Sequence, residues 1–363
     1  MAPERPRTRA RRLAAVAGLA GLLLVVLAAP AAAHGRSGDA SNYRSRVVDA
    51  PDLPGVRWRV WGGDEQLSVT NTGTTEVVVL DYEGDPYLRV GPDGVFENRD
   101  SEAVWLNRDR FAVTRVPPGV GSGARPEWVR VSDGTSRLWH DHRVHWMSPR
   151  PPAPVLADPG STATITRWRV PFDHGGRRLA VRGTLEWVPG PSPWPWLLGA
   201  LAVTAPPVLA GLRTRPRGGR WPGLARPAAV VLGAVSAANL TNLVNDVLAV
   251  PAPVSTTVLA VVQTGTFVAL GVLGARHAWR GGDGGFTALG IGAGSILVGQ
   301  GLLLLPALGS SQLATVFPPA LSRAVVALSV AQALPLAVAT VVGARRTMPP
   351  ARGSDVRPQT AAH

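Results

Sequence analysis

Cysteine and lysine are both missing from this 363-residue chain, and each absence removes whole classes of chemistry. Without cysteine there is no disulfide, no thiol nucleophile and no thiolate metal site. Without lysine there is no phosphate-cradling loop of the G-x-x-x-x-G-K-[ST] kind and no Schiff-base catalysis. All 37 residues of the Lys+Arg class are arginine, which a GC-rich genome explains without any functional demand. Also missing are H-E-x-x-H, the H-x-H-x-D-H order of binuclear hydrolases, a G-x-S-x-G elbow and any spacing that identifies a Ser, His and Asp triad. Catalysis has no positive support, and the chain is read as a non-enzyme. Any metal must be held by His, Met, Asp or Glu.

The formal charge of +13 invites a nucleic-acid partner until its location is considered. From His34 to Pro191 acids and arginines nearly balance. The excess sits in Arg5 to Arg12 and around the apolar runs, at Arg213 to Arg226, Arg276, Arg280, Arg345 and Arg346. That is a signature of membrane topology, and it argues against nucleic acid.

Residues 1–33 read as an export signal: an arginine-rich start, an apolar core from Leu13 to Leu27, then Pro30 and the small-residue site Ala31-Ala32-Ala33. The competing reading is an uncleaved anchor, since the apolar run approaches the ~20 residues that span a bilayer. Cleavage after Ala33 makes His34 the new N-terminus. Its α-amino group, with a reference pKa near ~8, and its imidazole form a pair able to chelate copper(II).

Residues 34–190 read as an all-β, antiparallel, sandwich-like extracytoplasmic domain without substantial helix. Val56, Trp58 and Val60 alternate with Arg57 and Arg59, and Leu179, Val181, Leu185 and Trp187 alternate with more polar partners. Leu67 and Val69, then Val77 and Val79, predict a hairpin around Asn71-Thr72-Gly73-Thr74. Turn signals recur at Gly62-Gly63, Gly84-Asp85-Pro86, Pro92-Asp93-Gly94, Asp133-Gly134 and Gly175-Gly176. Asp81, Glu83 and Asp85 read as one of these turns rather than as a cation site. Trp58, Trp105, Trp128, Trp139, Trp168 and Trp187 are the expected core. Pro149 to Pro154 is either a linker between two small β units or a crossing between sheets of one sandwich, and one sandwich is preferred because the piece beyond it is too short for its own core.

Residues 191–345 read as a membrane domain of five helices near 194–212, 227–248, 256–275, 286–305 and 321–343, with 346–363 a disordered cytoplasmic tail. Ser236, Asn239, Asn242 and Asp246 share one face of the second span; Gln263, Gln300 and Gln332 each add an amide to the last three. Such groups line a pathway or serve as interhelical glue, and glue is the simpler reading. Asp246 and Arg323 are placed to pair. Gly290, Gly292, Gly294 and Gly299 offer close-packing faces.

Trp139 to Met147, W-H-D-H-R-V-H-W-M, holds three of the seven histidines and one of the three methionines. His140, Asp141, His142, His145 and Met147 are the candidate metal ligands, with His34 as a further one. Imidazole with thioether suits copper, and imidazole with carboxylate suits zinc or copper(II). In a straight strand His140 and His142 point one way and His145 and Met147 the other, so all four meet only if the chain turns near Arg143. The competing reading is a strand whose polar groups bond to one another.

The order of signal, β domain and multi-span bundle resembles copper-resistance proteins in which a CopC-type sandwich is joined to a CopD-type membrane domain. That resemblance implies copper(II) held by an N-terminal histidine, here His34, and by an Asp-x-His motif, loosely matched by Asp141 with His142. Here the spacing residue is absent and the spans carry no embedded histidine. The segments D-Y-E-G-D-P-Y-L-R-V-G-P-D-G-V-F-E-N and W-H-D-H-R-V-H-W-M resemble an uncharacterised family of exported multi-span membrane proteins from high-GC bacteria, which implies no activity. The functional expectation is a multi-pass cell-membrane protein with its β domain outside, handling a metal, copper foremost. The alternative is a non-catalytic module that binds an envelope protein partner and uses the bundle as anchor.

Charge asymmetry fixes the expected topology, with the arginine-rich loops inside and the loops near Pro251 and Ser310 outside. Reporter fusions after Gly219 and after His363 should both read as cytoplasmic, and a fusion after Ser310 as external. An external C-terminal reporter would require a different number of spans.

Overall fold

Period-two alternation in the first half becomes ten antiparallel strands in a computed structural model of the chain, which describes residues 40–121 and 125–347. The export segment, His34 and the tail from residue 348 lie outside the described residues. In chain order the strands are β1 (Tyr43–Asp49), β2 (Val56–Trp61), β3 (Gln66–Asn71), β4 (Val77–Leu80), β5 (Pro86–Gly91), β6 (Gly94–Asn98), β7 (Trp128–Ser132), β8 (Ser136–Trp139), β9 (Ala163–His174) and β10 (Arg177–Trp187). Seven form one sheet in the order β1-β10-β9-β4-β5-β6-β7, and three form another in the order β2-β3-β8. Among the described residues before Trp194, helix is confined to two short turns, α1 (Ala103–Leu106) and α2 (Ala153–Ala157).

Both sheets contribute to a single buried apolar cluster. Leu67, Val69 and Trp139 come from the smaller sheet, and Val79, Leu88, Val90, Val170, Phe172 and Leu185 from the larger. Aromatic contacts join them: Trp58 lies 5.1 Å from Phe172, and Tyr87 meets Trp139 edge-on at 6.3 Å. Each such side chain, fully buried, contributes about 1.5–3 kcal/mol before entropy is charged against it. Of the expected tryptophans, Trp139 and Trp168 are buried, while Trp58 and Trp105 pack partly buried against the cluster. Trp128 and Trp187 lie outside it, and Trp146 joins it instead.

The expected hairpin from Leu67 to Val79 does not form. β3 pairs with β2 and β8, whereas β4 pairs with β5 and β9, so Asn71 to Thr75 carries the chain from one sheet to the other. Asn71 fixes that crossing, its buried amide donating to the carbonyls of Thr75 (2.8 Å) and Val90 (2.9 Å). The true hairpin of the small sheet turns at Gly62-Gly63-Asp64-Glu65, where both glycines take positive φ (64° and 81°). That turn sets Asp64 and Glu65 at the sheet end. Asp81 behaves as the turn reading expects, one carboxylate oxygen accepting the amides of Glu83, Gly84 and Asp85. The segment of interest lies in the connection from β8 in the small sheet to β9 in the large one, which makes Pro149 to Pro154 part of a crossing.

The second half is helical: α3 (Trp194–Leu212), α4 (Pro222–Ala238), α5 (Leu240–Leu248), α6 (Val254–Arg280), α7 (Gly285–Ile296), α8 (Pro319–Ala331) and α9 (Ala333–Thr347). Among the described residues five stretches are long and apolar enough to cross a membrane: Trp194–Leu212, Pro222–Leu248, Val254–Arg280, Gly285–Leu302 and Pro319–Thr347. Three run longer than the expected limits, because helix continues through Arg226, Arg276, Arg280, Arg345 and Arg346, while the fourth stretch ends at Leu302, short of the expected 305. Long arginine side chains reach water from inside a helix end and need not terminate it.

By their contacts the described residues divide into two units. One comprises the described parts of Met1–Pro193 with Thr241–Thr264 and Leu304–Arg323, the other those of Trp194–Leu240, Gly265–Leu303 and Ala324–His363. In the first, Ser41 and Gln312 exchange backbone hydrogen bonds at 3.1 and 2.8 Å, and Ser311 donates to Asn42 Oδ1. Asp246 accepts from Thr264 at 2.6 Å, and Arg323 donates to the Ser310 carbonyl at 2.7 Å. The expected Asp246–Arg323 pair is thus replaced by a carbonyl contact. In the second unit small residues allow close packing: a side chain at Gly290 would strike Thr340, one at Gly292 would meet Leu270 and Leu232, and one at Gly299 would overlap Phe267. Asn239 donates to Ser329 at 2.9 Å and Gln332 to the Ala293 carbonyl at 3.0 Å, so both act as interhelical glue.

Candidate functional site

Strand β8 ends at Trp139, and the chain then turns sharply around a buried carboxylate. Asp141 is wholly buried. Its Oδ2 accepts from Trp139 Nε1 (2.9 Å) and Arg143 Nη2 (2.8 Å), while Oδ1 accepts from the Arg143 amide (3.1 Å) and Arg143 Nε (2.8 Å). The Val144 amide closes the turn onto the Asp141 carbonyl at 3.0 Å. Arg143 also donates to the carbonyls of Leu80 and Asp81 and lies over the Tyr82 ring. Burial alone would raise the Asp141 carboxyl; the charge and hydrogen bonds of Arg143, with Trp139, outweigh it and hold the group below the ordinary carboxylate range.

The turn that the sequence required near Arg143 is therefore present, and it changes where the histidines meet. His142 and His145 come together with ring centroids 5.3 Å apart and planes at 70°. His140 lies apart, its Nδ1 3.1 Å from the Glu65 carbonyl and its Nε2 3.5 Å from the Gln66 amide nitrogen. His142 stacks on Tyr82, and its Nε2 is 3.1 Å from the Asp109 carbonyl. His145 Nε2 is 2.7 Å from the Arg110 carbonyl and 2.9 Å from Met147 Sδ.

These contacts fix the tautomers. A ring nitrogen facing a carbonyl must carry the proton, so each histidine donates from one nitrogen and keeps a lone pair on the other. Those lone pairs fall on His140 Nε2, His142 Nδ1 and His145 Nδ1. The first receives the Gln66 amide. His145 Nδ1 is buried and without a hydrogen-bond partner, on a residue only 4% exposed. Met147 sulfur engages the protonated nitrogen of that ring rather than its lone pair.

Two further elements frame the rings. The loop after α1 is held by Asp109, which accepts from the amides of Phe111, Val113 and Thr114 and from the Thr114 hydroxyl. Within it Ala112 sits at φ 54°, in the left-handed region. This loop aims the Asp109 and Arg110 carbonyls at His142 and His145. The Arg110 guanidinium in turn reaches Asp64 (2.8 Å) and Glu65 in the β2–β3 turn. Burial raises the Asp64 carboxyl to about 6 in spite of Arg110, and burial with the nearby Arg110 charge lowers His145 to about 3.

Chemically, the arrangement offers an unpartnered imidazole lone pair on His145 with a second imidazole, His142, beside it. Among the described residues no three His, Asp or Glu side chains are grouped to hold one metal ion. Of the sequence candidates, His142, His145 and Met147 are brought together; His140 is held to the side by Glu65 and Gln66; Asp141 underlies the turn with both oxygens engaged; and His34 lies outside the described residues. Sequence reasoning did not single out Asp64, Glu65, Asp109 or Arg110. The acid pair directly after Gly62-Gly63 was a usable signal, because a tight turn presents its flanking side chains at a sheet end.

Asp64 and His145 make opposing contributions to stability. Folding lowers His145 from 6.5 to about 3, so its contribution is full above pH 6.5 and is lost as pH falls toward 3. Folding raises Asp64 from 3.8 to about 6, so its contribution is full below pH 3.8 and is lost as pH rises through about 6. Between about pH 4 and 6 the two nearly cancel. The Asp64→Asn chain should therefore lose stability with acid across that window, by up to about 1.4 kcal/mol per pH unit, where the parent shows little dependence from this pair. Thermal unfolding against pH checks this, and an unchanged profile in the variant would contradict it.

No family model, curated protein or solved structure matches the chain, so its own residues supply the case for function.

Proposed function

We propose that the chain is a multi-pass cell-membrane protein whose β unit, a two-sheet sandwich on the outer side, holds copper at His142 and His145 for delivery to another protein or to the bundle. The observation that carries the reading is the buried, unpartnered Nδ1 of His145 beside the His142 ring. An orphaned acceptor in the interior costs about 1–3 kcal/mol unless something fills it, and a metal ion is such a partner. Both rings also donate their other nitrogen to a backbone carbonyl, the support that metal-ligating histidines ordinarily receive.

Coordination number favours copper(I). Structural zinc takes four ligands, which these residues do not assemble, whereas copper(I) accepts two imidazole donors at low coordination. His142 and His145 are the assigned donors; Met147 lies on the protonated Nε2 side of His145, away from its lone pair. Asp141 positions the turn rather than binding the ion. His140, held to the side by Glu65 and Gln66, is not assigned as a donor.

Copper(I) titrated into the full chain in detergent, against a chromogenic chelator, should show one equivalent retained. The His142→Ala/His145→Ala variant should bind at least ~10-fold more weakly while unfolding at a similar temperature. If the parent holds neither copper nor zinc at micromolar concentration, the reading falls, and the β unit is better read as a docking module for an envelope protein.

A further inference from the structure

Helix α6 ends in Arg276, His277 and Arg280, all exposed. None has a hydrogen-bond or ion-pair partner among the described residues. Two other arginines of this unit are occupied, Arg226 lying over the Trp279 ring at 5.7 Å and Arg346 over Trp221 at 5.3 Å. Cations at a helix C-terminus complement its dipole, which accounts for their presence but not for the space beside them. That space is a groove of about 390 Å³ between α6 and α7. Its basic end is formed by these three side chains and its apolar part by Leu270, Leu273 and Ile291. Gly274 brings the helices together, since a side chain there would lie 2.6 Å from the Ala288 carbonyl.

The groove passes from apolar to basic along one helix face, from Leu270 and Leu273 to His277 and Arg280. Ten residues of helix cover ~15 Å, about half of a ~30 Å hydrocarbon core. Leu273 and Ile291 are 57% and 43% exposed, so the apolar part opens sideways where lipid chains lie. Trp279, half exposed beside Arg280, suits the headgroup level.

We infer that this groove binds an anionic phospholipid, with Arg276 and Arg280 holding the phosphate and an acyl chain against Leu270, Leu273 and Ile291. Guanidinium matches a phosphodiester through paired hydrogen bonds, and basic pockets between membrane helices suit such headgroups. His277 adds a donor at the rim. Charge complementarity selects the headgroup, and the apolar wall selects a lipid over a free anion.

The test uses the full chain in detergent, titrated with phosphatidylglycerol, with phosphatidylcholine of the same chains, and with inorganic phosphate. Phosphatidylglycerol should raise the unfolding temperature by a few degrees, and native mass spectrometry of an equimolar mixture should show it retained over phosphatidylcholine. Arg276→Gln/Arg280→Gln should lose the shift while unfolding like the parent in phosphatidylcholine; the charge-matched Arg213→Gln/Arg215→Gln should keep it. An equal shift with phosphatidylcholine, the same shift with inorganic phosphate, or equal loss in both double variants would overturn the inference. Should Arg276→Gln/Arg280→Gln fold poorly, retention by the parent decides, and equal retention of the two lipids would overturn it.

Discussion

The buried pair of Asp141 and Arg143 is the constraint on which the site depends. Two residues apart, they close a ring of hydrogen bonds that also takes in the Trp139 indole and the Leu80 and Asp81 carbonyls. A buried pair of this kind is weak evidence for net stability, because desolvation offsets much of the attraction. Removing one partner is another matter, costing about 3–5 kcal/mol through the charge left behind. The pair therefore specifies a shape: it reverses the chain after β8 and sets His142 against His145. Val144, fully buried within the same turn, ties that reversal to the apolar core.

Around the rings, electrostatics and burial act together. Burial and the Arg110 guanidinium keep His145 neutral well into acid, which preserves its lone pair. Arg110 would repel a bound cation if it stood alone. It faces Asp64 and Glu65, so two carboxyl groups stand against one guanidinium beside the ring. The same three residues thus hold the loop that aims the Arg110 carbonyl at His145 and set two carboxyl groups against the guanidinium near that ring.

Much of the architecture was legible in the sequence, since alternation and long apolar runs are direct consequences of burial on one face or in lipid. Partner choice was not. Leu67–Val69 and Val77–Val79 were correctly strand-like, but alternation does not say which sheet a strand joins, and the chain crosses sheets after Asn71. Within the site, the density of His140 to Met147 marked the place and the need for a turn near Arg143. Asp141 was legible as chemistry and misleading as role, because only the fold puts Trp139 and Arg143 on its oxygens. Arg110 was invisible, being an exposed-looking arginine in a loop brought in by Asp109 and drawn to an acid pair 45 residues away. In the helices Asn239 and Gln332 read correctly as glue, while Asp246 and Arg323 each found a nearer partner.

In the proposed function, His145 Nδ1 and the His142 ring make up the metal-binding end of this turn. X-ray absorption at the copper edge of the copper(I)-loaded full chain tests it most directly. The expected result is low coordination with nitrogen donors at short distance and the outer-shell scattering of two imidazoles, reduced in the His145→Ala chain. Copper bound without imidazole scattering, or a spectrum unchanged by His145→Ala, would contradict it.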